Sequence, residues 1–116
     1  MLEDKAKDLG RAIGQSDEYK AVKRSSEALN LDPDATRLLR RMEAIRGEAQ
    51  AMIDRGEEPT TGMEQELDAL LTQVQTRPEY QRAIAAQENF DKLMLRVNSL
   101  IADGIRAGAT SSIILG

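Results

Sequence analysis

Apolar residues recur at alternating steps of three and four along almost the whole chain, the spacing of one face of an α-helix. Leu2, Ala6, Leu9 and Ile13 make the first such stripe. Gly14-Gln15-Ser16 interrupts it, with Gly14 suited to ending a helix and Ser16 to capping the next. Tyr19, Val22 and Leu29 give the second stripe, with Asp17 and Glu18 in the first turn, where they complement the helix dipole. No proline separates these two segments, so one kinked helix is the alternative. The next boundary is firmer. In Asn30-Leu31-Asp32-Pro33-Asp34, Asp32 suits the cap and Pro33 the first helical position, where its missing N–H costs nothing. Leu38, Met42, Ile45, Ala49 and Met52 then predict a helix of some twenty residues ending at Gly56.

Beyond a polar connection from Glu57 to Gly62, Thr61 and Glu64 have the spacing of a capping box. Met63, Leu67, Leu70, Leu71 and Val74 face one side of the helix that follows. Thr76 and Glu79 offer a second capping box before the longest stripe: Tyr80, Ala83, Gln87, Phe90, Met94, Val97 and Ile101. The pattern predicts an all-α fold, an antiparallel bundle of four to five helices with a long C-terminal helix. Residues 1–108 are expected to form one helical domain and 109–116 a C-terminal tail. Ile113, Ile114 and Leu115 in that tail are candidates for docking into an apolar groove.

Composition narrows the chemistry. Among 116 residues there is no Cys, His or Trp. That removes thiolate and imidazole catalysis, disulfides, and the common soft ligands for a metal. A di-iron helical bundle needs Glu-x-x-His, and no glycine-rich segment carries the Gly-Lys-Ser/Thr of a phosphate loop. The expectation is a non-enzymatic protein with no cofactor and no metal. Met1-Leu2-Glu3-Asp4 lacks the basic start of an export signal, and no apolar run approaches the roughly 18 residues that span a bilayer. A cytoplasmic protein without membrane insertion is expected.

The net charge of −4 conceals an asymmetry: residues 20–46 carry +3 and residues 47–91 carry −7. Arg37, Arg40 and Arg41 fall on one flank of the third helix, a candidate surface for a phosphate backbone or an acidic partner. Solvation, or pairing with the acidic segment of a neighbouring subunit, is the plainer explanation, since no aromatics are interleaved to stack bases. Direct nucleic-acid binding is therefore not the primary expectation. Ile84 and Leu95 lie off the main stripe and are apolar candidates for the same interaction surface.

The order Leu9, Ile13, Ser16-x-x-Tyr19, Leu29-Asn30-Leu31-Asp32-Pro33-Asp34-Ala35, Leu38-Leu39, Gln50, Gly56-Glu57-Glu58-Pro59 and Pro78-x-Tyr80 resembles the YlbF/YmcA-like family of small bacterial cytoplasmic proteins. The resemblance runs from about residue 3 to 106. It implies a helical fold, self-association as a dimer or higher homo-oligomer, and no catalytic activity. It also implies regulation of competence, sporulation and biofilm formation, as an accessory factor of an endoribonuclease that processes mRNA. Some members carry cysteines linked to an iron–sulfur cluster; this chain has none, so that cofactor is not carried over. The expected function is a helical regulatory adaptor acting by protein–protein contact. A generic homo-oligomeric helical scaffold and an RNA-binding module using residues 20–46 are the alternatives.

Overall fold

The computed structural model describes residues 1–115, with side chains described through Thr110. Five helices follow in order: α1 (Leu2–Gly14), α2 (Asp17–Asn30), α3 (Pro33–Asp54), α4 (Thr61–Gln75) and α5 (Pro78–Leu115). The fold is all-α, as the periodicity predicts. The Gly14–Ser16 interruption is a true break rather than a kink. The last helix is longer than its stripe implied, since no proline stops it after Ile105, and its 38 residues reach about 57 Å.

Helix starts are set by side chains that serve the first free N–H groups. Ser16 Oγ accepts from Tyr19 N at 3.1 Å. Asp32 accepts from Asp34 N and Ala35 N, with Pro33 next to it at the first helical position. The cap of α4 is Thr60, one residue before the expected Thr61, and it accepts from Met63 N at 3.1 Å. The Thr76–Glu79 box does not form: Thr76 closes α4 instead and donates its hydroxyl back to Gln73 O. Gln15 rather than Gly14 caps the end of α1. α3 ends where Gly56 turns to φ +79°, which lets Glu57 N reach Met52 O and Gly56 N reach Ile53 O.

Packing divides the helices into two antiparallel pairs, α3 with α4 and α2 with α5. Ala35, Leu38, Met42 and Val74 form the buried centre of the first pair, with Leu67, Leu70 and Leu71 against them. Ile45 is also fully buried. In the second pair Ala86 is buried, and Tyr19 meets Phe90 edge to face with ring centroids 5.7 Å apart. Gln87, placed by spacing on the apolar stripe, is exposed and bonds Asp91. Tyr80, Ala83, Phe90, Met94 and Val97 stay half-buried as spaced, and only at Gln87 does the stripe turn outward, where Ala86 sits instead beside Ala21, Ser25 and Ala28 of α2.

Leu29 and Tyr80 pack on the α3/α4 core from the other pair, so the two pairs join at one junction. The radius of gyration is 20.9 Å, against about 13 Å for a compact domain of this length. The molecule measures 64 × 37 × 20 Å. α1 contributes no buried residue and meets only α2 to any extent.

Candidate interaction surface

The junction between the pairs is held by an ion pair. Asp32 precedes Pro33, Arg77 precedes Pro78, and each stands at the entrance of a helix. Arg77 donates from Nε to Asp32 Oδ2 at 3.0 Å and from Nη2 to Oδ1 at 2.8 Å. Burial alone pushes the Asp32 carboxyl up. The Arg77 hydrogen bonds, the N–H groups of Ala35 and Asp34, and the Arg77 charge outweigh that and hold it below the usual aspartate value. The two groups are 45 residues apart and clamp α3 to the α4/α5 turn.

A second clasp crosses the α3/α4 pair on its exposed side. Arg41 Nε lies 2.7 Å from Glu66 Oε1 and Nη2 lies 3.1 Å from Oε2. The Arg41 hydrogen bond draws the Glu66 carboxyl down, and the same bond raises the guanidinium. The basic flank thus meets the acidic segment within its own chain. This splits the three arginines. Arg41 turns to α4, whereas Arg37 and Arg40 line a shallow groove of ≈ 370 Å³ with Asn30, Leu31, Pro33 and Thr36. Arg37 also reaches Asp34 at 3.8 Å. Leu31 is 83% exposed in this groove, a large apolar side chain at a corner that spacing did not single out.

Ile84 and Leu95 are both exposed, at 42% and 70%. Ile84 lines a different groove, ≈ 340 Å³, with Gln75, Tyr80, Gln81, Ala85 and Glu88. The structure therefore does not bring the arginines and these two apolar residues into one patch. Ile113, Ile114 and Leu115 lie outside the residues whose side chains are described.

Further exposed apolar side chains lie on α1 and on the distal half of α5. Leu2 on α1, and Leu100, Ile101 and Ile105 on the distal half of α5, are all exposed, with Leu9 at 38%. Leu2, Leu9 and Ile101 belong to stripes that spacing assigned to helix packing, yet among the described residues they remain exposed. Among the described residues no three carboxylates converge as a metal site, and no helix is long and apolar enough to cross a membrane.

Comparison with known proteins gives consistent matches. The chain is 26% identical over 102 residues to a UPF0342 protein of Desulfitobacterium hafniense (strain Y51), covering 88% of this chain and 78% of that protein. It is 26% identical over 98 residues to a UPF0342 protein of Limosilactobacillus fermentum, covering 84% and 82%. A UPF0342 protein of Leuconostoc citreum matches at 19% over 98 residues. The family model described as "Control of competence regulator ComK, YlbF/YmcA" matches residues 2–106, a description of regulatory control rather than of catalysis. The ordered caps and stripes, the helical pairs they build and this match over nearly the whole chain agree: the protein belongs to the YlbF/YmcA family.

Proposed function

We propose that this chain is a non-enzymatic regulatory adaptor that self-associates and acts through protein–protein contact in the cytoplasm. The observation that carries this reading is the unpaired apolar surface on α1 and distal α5 of an elongated molecule. A helix of 13 residues is marginal in water unless an apolar face is covered. Membership of a family named for regulatory control supports the same reading. Its finer form is service as an accessory factor of an mRNA-processing endoribonuclease, with effects on competence, sporulation and biofilm formation.

The direct test is affinity capture of the tagged chain from its native cytoplasm, combined with mapping of mRNA 5′ ends in a strain lacking it. Co-purification of an endoribonuclease and loss of specific processed ends are expected. Unchanged 5′ ends and no ribonuclease among the captured proteins would remove the finer reading.

A further inference from the structure

Two recesses open along the seam between α2 and α5. Ala21, Ser25 and Ala28 line the first with Arg24, Arg82 and Ala86, around a space of ≈ 360 Å³. Glu18 lines the second with Asn89, Lys92, Leu93 and Arg96, around ≈ 290 Å³. The recesses continue one another. On α2, Glu18, Ala21, Ser25 and Ala28 follow steps of three, four and three. On α5, Arg82, Ala86, Asn89, Leu93 and Arg96 follow four, three, four and three. Each row is therefore a single face of its helix. Because the helices are antiparallel, Ala28 stands at the Arg82 end and Glu18 at the Arg96 end. Between Arg82 and Arg96 the groove runs about 21 Å along α5.

The floor of this groove is small and its rim is basic. Ala21, Ala28 and Ala86 project only a methyl group, and Ser25 donates its hydroxyl back to Val22 O at 3.2 Å. The backbone of an incoming element can therefore come close. Arg24 and Arg82, from facing helices, share the first recess, and Lys92 and Arg96 share the second. Glu18 is the one carboxylate among the lining residues, so the groove is positive within a chain of net charge −4. Among the described residues none of these four cations lies within ion-pairing distance of a carboxylate, whereas Arg41 and Arg77 are both clasped. A cleft walled by one sign of charge concentrates its field on whatever enters, and here it selects an anion.

We infer that this groove seats an acidic amphipathic helix of a partner protein. The partner's apolar face lies on the alanine floor, and its carboxylates meet the two basic ends. This rests on the protein-contact part of the proposed function and names the surface and the chemistry it selects. Small floor residues leave room for leucine-sized side chains from the partner. Basic ends about 21 Å apart match carboxylates about 14 positions apart on one helix. Each arginine can take a carboxylate with two parallel hydrogen bonds, which fixes the register. A nucleic-acid strand fits less well, since no aromatic side chain lines either recess and Glu18 would oppose its phosphates.

The test uses the full chain and a displayed library of helical peptides of about 20 residues, randomised along one face. Selected peptides are synthesised with a fluorophore, and their affinity is read by anisotropy. Peptides rich in Glu and Asp around Leu or Ile are expected to be enriched. Their affinity should fall about tenfold or more for the combined Arg82→Glu and Arg96→Glu chain. Ala28→Trp, which fills the floor at an exposed position, should weaken them similarly. Far-ultraviolet circular dichroism confirms that each variant keeps its helices. Failure to enrich acidic peptides, or acidic peptides indifferent to both substitutions, would overturn the inference. Single-stranded RNA that binds the parent and is lost with the charge reversal would overturn it in favour of a nucleic acid. A parent dimer that the same reversal dissociates would overturn it in favour of a second copy in the groove. A chain that captures an endoribonuclease yet selects no acidic helix keeps the regulatory reading, so the two failures are distinguishable.

Discussion

Arg77 lays both arms of its guanidinium on Asp32, the residue that also caps α3, at 2.8 and 3.0 Å. One carboxylate therefore starts a helix and ties that helix to the turn between α4 and α5. The Asp32 side chain is 7% exposed and the Arg77 side chain 36%. Removing Arg77 leaves the nearly buried Asp32 carboxylate with backbone N–H donors and no countercharge on it, and removing Asp32 leaves Arg77 only its longer 3.8 Å contact with Asp34, which is more damaging than losing an exposed pair.

Asp32→Asn should lower Tm by several degrees near neutral pH, and Arg77→Ala should do the same. The combined variant should lose less than the sum, because both changes break one interaction. The effect depends on pH in a defined direction. The folded Asp32 has a lowered pKa, so its contribution is complete above the ordinary aspartate value, near 3.9, and is lost as pH falls through the folded value. The Tm difference between the parent chain and Asp32→Asn should be constant from about pH 5 to 7 and shrink below about pH 4. Thermal melts followed by far-ultraviolet circular dichroism measure this.

Core and surface leucines should separate cleanly. Leu38 is 8% exposed within the α3/α4 cluster, whereas Leu95 is 70% exposed on α5. Leu38→Ala should cost about 2–5 kcal/mol in urea denaturation. Leu95→Ala should stay within about 0.5 kcal/mol, as surface changes do.

Two glycines at the two ends of the same question have opposite expected signs. Gly56 holds φ +79° after α3, so Gly56→Ala should destabilise by about 1 kcal/mol. Gly47 lies inside α3, exposed, and an added Cβ there would meet nothing within 4 Å. Gly47→Ala should stabilise by about 0.5–1 kcal/mol, read from the urea midpoint at constant slope.

The RNA-binding alternative has its own test. Arg41 is engaged by Glu66, which leaves Arg37 and Arg40 as the open part of the flank. Reversing the charge of Arg37, Arg40 and Arg41 should change nothing in a fluorescence-anisotropy titration with single-stranded RNA at moderate salt, because the parent chain is expected not to bind. Salt-dependent affinity in the parent that disappears in the variant would restore that alternative.

Local pattern carried much of the architecture. The three-and-four spacing of Leu38, Met42 and Ile45 predicts the buried face of α3, and Ser16 and Asp32 are legible as caps from their neighbours. Where the reading slipped, neighbouring positions compete. Thr60 and Thr61 are adjacent hydroxyls, and only the backbone path after Pro59 decides which serves Met63 N. Gln87 and Ala86 are adjacent on α5, and it is Ala86 that sits beside Ala21, Ser25 and Ala28 of α2.

The clasps were not legible, because each joins residues 45 or 25 positions apart and no local spacing encodes such a distance. The one available signal was the opposite charge of the two residues preceding Pro33 and Pro78. For the same reason spacing offers Arg41 the acidic segment as a partner only in a neighbouring subunit, whereas Glu66 of its own α4 takes it. The apolar stripe of α1 was legible as a stripe, but not that it would remain uncovered within the chain. Periodicity identifies a face that needs a partner and is silent on whose chain provides it.

The most direct test is the solution mass of the unmodified chain beside Leu9→Asp, measured by sedimentation equilibrium at micromolar concentration. A mass of twice 12.8 kDa is expected for the parent. The variant should fall to 12.8 kDa with its helical signal largely intact, since α1 adds nothing to the buried core. A parent chain that sediments as a monomer, or a dimer indifferent to a charge at position 9, would contradict contact through α1.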